Sequence, residues 1–116
     1  MIHEQEFEQR WKDSLAFFTQ LTGRKPDLNA ILFLIGIREL GVGVREFSKE
    51  EKQDLMHIAT CKLLALQGYY KLEGLDQDGW PHYSLEKPMP HMTLGEQEKM
   101  LKMLVCEYLE NENSNL

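Results

Sequence analysis

His57 and Cys61 stand four residues apart, about one helical turn, which puts an imidazole and a thiol on the same side of a helix. That spacing suits a pair of metal ligands. Cys106, His82 and His91 are the residues able to complete a metal site. Structural zinc sites bring their ligands in closely spaced pairs, however. The chain has neither a Cys-x-x-Cys nor a His-Glu-x-x-His run. The expectation is therefore no metal and no cofactor, with His57 on a helix surface beside a packed thiol.

Three other stretches invite a chemical reading and lose it on inspection. When Asp76 and Asp78 are set at the third and fifth ligand positions of a calcium-binding loop, Gly74 falls at the first. Leu85 then falls at the last, where a bidentate glutamate is required. Asp76-Gln77-Asp78-Gly79 is a turn. Gly41-Val42-Gly43 follows a helix and lacks the Lys-Ser/Thr of a phosphate loop, so it is a helix stop with a connector. No serine occupies a Gly-x-Ser-x-Gly elbow, and a dyad of Cys106 with His91 would rest on composition alone. No catalytic residue is assigned, and an enzyme whose site is assembled from distant residues stays as an alternative.

Two charged positions sit where charge is costly. Glu39 falls on the same side of its helix as Leu32 and Ile35, near a C-terminus whose dipole disfavours anions. Arg38 lies between the directions of Ile31 and Leu34, and Lys62 falls within an apolar helix face. One expectation is a shielded Glu39 paired with Lys62 or Arg45; the plainer one is that charges at helix ends reach water along their stems.

The elements that position these residues follow from periodicity and caps. Residues 28–40, LNAILFLIGIREL, leave no wide polar face when wound as a helix, so other parts of the fold must cover them. The run is too short for a membrane, which needs roughly 20 apolar residues. Asp27 stands at its N-cap position and Gly41 just past its end. Before it, residues 4–22 form an amphipathic helix with Phe7, Trp11, Leu15, Phe18 and Leu21 along its core stripe. The connector Val42-Gly43-Val44-Arg45-Glu46-Phe47 carries three apolar residues expected to pack down.

Ser48 with Glu51 is a capping box that opens a third helix, expected to run to about residue 67 and stop at Gly68. Leu55, Ala59, Leu63 and Leu66 share its main face, with Met56 and Ile58 at the margins. His57, Cys61 and Leu64 make a second, narrower contact for another helix or another subunit. Residues 69–75 and 80–86 alternate as two strands around the 76–79 turn. A four-residue loop pairs Leu75 with Trp80, Gly74 with Pro81, Glu73 with His82, Leu72 with Tyr83, Lys71 with Ser84 and Tyr70 with Leu85. Lys87-Pro88-Met89-Pro90-His91-Met92 is a non-helical crossover. Thr93 with Glu96 caps a last helix expected to end near Leu109, leaving residues 110–116 as a frayed tail.

The fold class is mainly α: four helices packed around a central apolar helix, with one β-hairpin between helices 3 and 4, in the order α-α-α-β-β-α. Residues 1–109 are expected to form a single helical domain with the hairpin at about 69–86. This order resembles that of winged-helix DNA-binding modules over about residues 4–87, which would imply a DNA-binding regulator. Residues 41–47 exceed the usual turn of about 3–4 residues between the two DNA-reading helices. The helix that should enter the groove begins Lys49-Glu50-Glu51-Lys52-Gln53-Asp54, and the wing tip carries Asp76 and Asp78.

Composition bears on partners. With 19 acidic against 13 basic residues among 116, the net charge of −6 argues against general affinity for nucleic acid or anionic membranes. Two cysteines are no disulfide framework, and the charged start MIHEQEFEQRWKD lacks the apolar centre of a secretory signal. A cytoplasmic location is expected. The resulting expectation is a non-catalytic protein-interaction module, with self-association into a homodimer as one form of that role. The candidate contact surface is Trp80, His82 and Tyr69 on the hairpin with Met89 and His91 on the crossover.

Overall fold

A computed structural model describes residues 4–43 and 45–114. The elements follow in the order α1 (Glu4–Thr22), α2 (Leu28–Leu40), α3 (Lys49–Ala65), β1 (Tyr70–Leu75), β2 (Pro81–Leu85) and α4 (Leu94–Ser114). The protein is mainly helical, with one antiparallel hairpin between its third and fourth helices. No helix among the described residues is long and apolar enough to cross a membrane. The chain divides into two compact units, one holding the two chain ends up to Asp27 and from His91, the other Leu28–Pro90.

In the unit of the chain ends, α1 packs on α4. Phe18, Leu104, Val105, Cys106 and Tyr108 are buried, and Ser14 is buried with them. The Ser14 hydroxyl donates to the Arg10 carbonyl at 3.0 Å and lies 3.4 Å from the Cys106 thiol, so its polar group is satisfied. Arg10 grips Glu110 with two parallel bonds of 2.8 and 2.6 Å, a forked geometry that raises the guanidinium's proton affinity. The aromatic stripe is only partly core. Phe7 and Trp11 are half-buried, with the Lys99 and Lys102 ammoniums 5.4 and 5.3 Å over their rings. Leu21, placed beside the stripe from spacing, is exposed. Thr93 and Glu96 form the expected capping box, with bonds of 2.9 and 3.1 Å. The helix they open continues through Ser114 rather than ending near Leu109. Leu116 and its neighbour, part of the expected tail, lie outside the described residues.

In the unit 28–90, α2 packs along α3. Ile31, Leu32, Ile35 and Gly36 are its buried positions. Gly36 makes the close crossing possible. A Cβ there would stand 2.2 Å from the Leu55 carbonyl oxygen, nearer than any real contact. α2 ends as expected: Gly41, at φ 80°, donates its N–H to the Ile37 carbonyl at 3.0 Å. Of the three apolar connector residues, Phe47 is buried and Val42 exposed, while Val44 lies outside the described residues. The Ser48–Glu51 capping box is formed, with bonds of 2.9 and 3.1 Å, and α3 ends at Ala65 in a tightened turn before Gly68.

α3 is buried on two sides. Leu55, Ala59 and Leu63 are enclosed, and so are Ile58, Cys61 and Leu64. The second side, expected to receive another helix or a subunit, meets the hairpin.

The hairpin register holds for Tyr70 with Leu85, Lys71 with Ser84 and Leu72 with Tyr83, then slips. A bulge at Glu73 brings Gly74 opposite His82 and Leu75 opposite Pro81, where a regular ladder would give Glu73–His82 and Gly74–Pro81. The cause is local. One Asp76 carboxylate oxygen accepts the Asp78 and Trp80 N–H groups, both at 2.9 Å, which draws Trp80 into the turn and lengthens the loop to residues 76–80. Gly74, at φ 151°, takes up the extra residue in a conformation that side chains rarely adopt.

Candidate functional site: the groove between α3 and the hairpin

Because β2 lies beside α3 without filling the space, a groove of about 320 Å³ remains between them. Its floor is Ile58, Cys61 and Pro81, all buried, and its walls include the half-buried rings of Trp80 and Tyr83. Asp54 and His57 from α3 face the rim, as do Asp76 and His82 from the hairpin, and all four are exposed. The hairpin's bulge matters here, since the pairing of Pro81 with Leu75 sets where Trp80, Pro81 and His82 meet the groove.

Two side-chain pairs shape its chemistry. The Cys61 thiol lies 3.5 Å from His57 Nε2. Burial pushes that thiol up from its ordinary value, so it is held neutral, and a nucleophilic cysteine needs the opposite shift. His82 Nε2 lies 3.0 Å from Asp76 Oδ2. That contact first, and then the N–H of Trp80, holds the Asp76 carboxyl below the usual carboxylate range. The Tyr83 hydroxyl is pushed up to about 12, by burial first and then by the nearby Glu39 carboxylate. The groove thus offers a fixed carboxylate–imidazole pair and neutral thiol and phenol groups around an apolar floor. Among the described residues, no three His, Cys, Asp or Glu side chains are disposed to hold a metal ion. Both cysteines are free and buried.

Of the candidate contact residues, the structure brings Trp80 and His82 together at the groove. Tyr69 is elsewhere on the hairpin base, with the Lys87 ammonium 4.5 Å over its ring. Met89 is half-buried in the 28–90 unit, whereas His91 is exposed and belongs to the unit of the chain ends. Glu39 has its side chain 19% exposed, and its Oε1 lies 3.8 Å from the Lys62 ammonium. Arg45 turns instead to Glu51, 3.1 Å away, and covers the Phe47 ring at 4.2 Å. Arg38 is exposed at the end of α2.

The hairpin also carries a surface that alternation alone did not show as open. Leu72, Leu75 and Leu85 are 49%, 65% and 55% exposed, on the face that also bears Tyr83 and Pro81. Alternation puts Leu72 and Leu85 on that face, Leu75 joins them only through the bulge, and α3 covers only the part of the face nearest the groove. Comparison with protein families, with curated proteins and with solved structures found no match.

Proposed function

We propose that this protein is a non-catalytic protein-interaction module whose contact surface is the hairpin. The observation that carries this reading is the row of exposed leucines at 72, 75 and 85 beside the Trp80–His82 groove. Half-uncovered leucines on one face of a strand pair leave apolar surface that water disfavours and a partner can cover. The groove next to it adds an aromatic wall and a polar rim, the mixture that protein contact surfaces use. Its neutral thiol supports a binding role over thiolate chemistry. A cytoplasmic location belongs to the same reading, supported by two thiols that remain unbridged.

A photoreactive side chain placed at Leu75 tests this in the native cell, with one at exposed Gln53 on α3 as control. Discrete adducts from position 75 and none from 53 are expected. Equal labelling from both positions, or none from 75, contradicts the proposal. The element order leaves a winged-helix DNA-binding role as a second reading. It requires a mixed duplex pool to shift at low salt, and no shift removes it.

A further inference from the structure

Hydrogen-bond direction along the hairpin shows which backbone groups face outward. The Glu86 N–H donates to the Tyr69 carbonyl at 2.8 Å, so Tyr69 and Glu86 form a bonded pair. Bonded and non-bonded pairs alternate along antiparallel strands. Lys71 and Ser84 are therefore the next bonded pair, and Tyr70 and Leu72 aim their N–H and C=O groups away from β2. No backbone bond from outside the hairpin reaches residues 70–75 among the described residues. By the same alternation Pro81 lies in a non-bonded pair, its nitrogen on the outer edge of β2, where it has no hydrogen to offer. Tyr83 and Leu85 also face outward, but Pro81 interrupts the β2 edge, whereas the β1 edge carries no proline.

The β1 edge is self-complementary. Leu72 lies between Lys71 and Glu73, all three exposed. If two copies of this segment run antiparallel with Leu72 opposite Leu72, each Lys71 falls opposite a Glu73 and the two leucines meet on one face. We propose that β1 pairs in this way with β1 of a second copy, giving a four-stranded sheet with Leu72 on the two-fold axis. This rests on the reading of the hairpin as the contact surface and names its occupant. The β1–β1 contact is isologous, because the same patch serves both copies. It also gives a two-stranded hairpin, marginal by itself, the extra strands that stabilise a sheet. The bulge at Glu73 and Gly74 confines pairing to a short segment around Leu72.

Charge exchange tests the register. Sedimentation equilibrium up to millimolar concentration is expected to show a monomer–dimer equilibrium for the native chain. Lys71→Glu and Glu73→Lys each set like charges opposite one another in both pairs, and each weakens dimerisation by about tenfold or more. Mixing the two variants restores association, since two carboxylates of one then face two ammoniums of the other. As a readout without mutation, the Leu72 amide gains protection from hydrogen exchange as concentration rises, while the Lys71 amide, already bonded within the hairpin, changes little.

A chain that is monomeric at every concentration overturns this pairing. So does a dimer that survives both charge reversals or leaves the Leu72 amide unprotected. Should the chain be monomeric while position 75 still gives adducts with other proteins, the pairing falls and the contact-module reading stands. Neither dimer nor adducts overturns both.

Discussion

Along α3, Leu55 meets α2 so closely that Gly36 has no room for a Cβ, while Ile58 and Cys61 on the same helix look into a groove of about 320 Å³ rimmed by imidazoles and carboxylates. The first contact is dry and built from backbone approach. The second is held by a hairpin whose loop is organised by one carboxylate and whose outer leucines face water. Close-packed contacts are intolerant of any change in volume, whereas a half-open surface can change its side chains without loss of fold. The close-packed contact and the half-open groove thus lie on different sides of one helix, and the two sides should answer mutation differently.

The largest effect is expected on the tight side. Leu55→Ala empties a fully buried position and should cost about 2–5 kcal/mol in urea unfolding. A loss below about 0.5 kcal/mol, within the range of ordinary surface changes, would remove Leu55 from the core. Next comes Gly36→Ala, which forces the α2 and α3 backbones apart. Overpacking of this kind costs about 1–3 kcal/mol although alanine is the better helix former. A stabilised variant would show that the two helices do not cross there.

On the groove side the effects are smaller and depend on pH. The Tyr83 phenol, raised to about 12 in the folded protein against about 10 when unfolded, favours the folded state fully below the lower value. That contribution is lost as pH rises from about 10 towards 12. Spectroscopic titration should show a late-ionising tyrosine that disappears in Tyr83→Phe, and its persistence would assign it to another residue. Asp76 moves in the opposite direction. Its lowered carboxyl stabilises the loop above the ordinary aspartate range near about 4 and ceases to do so as pH falls through the depressed value. The amides of Asp78 and Trp80 should then exchange faster in acid. Asp76→Asn, which keeps an acceptor oxygen, should abolish that step. A step that survives belongs to the capping carboxylates Glu51 or Glu96, also held low by the N–H groups they accept.

The difference between the two sides was only half legible in the chain. Capping residues and terminal glycines act through their immediate neighbours, so Ser48, Glu51, Gly41, Thr93 and Glu96 marked helix ends where the structure has them. Hairpin register up to Leu72 and Tyr83 followed from alternation. The slip beyond it depends on Asp76 folding its side chain onto two amides, a local event whose hint was a glycine inside a strand. Gly36 was silent, because a glycine in an apolar helix looks the same whether or not another backbone passes within contact distance. The groove was silent too. Asp54 and His57 lie far in sequence from Trp80 and His82, and only the docking of the hairpin on α3 brings them together. His57 with Cys61 was legible as a surface imidazole beside a packed thiol, and the structure has His57 exposed and Cys61 buried.

The comparison between the two sides is tested most directly by one double variant, Leu72→Ser with Leu75→Ser, measured for both stability and contact. Urea unfolding at low protein concentration should change by no more than about 0.5 kcal/mol, as for other exposed positions, while adducts from a photoreactive group at Leu85 disappear. A collapse of stability would make these leucines part of the core. Retained adducts in a fully stable variant would show that partners are met elsewhere, and the hairpin would lose its role as the contact surface.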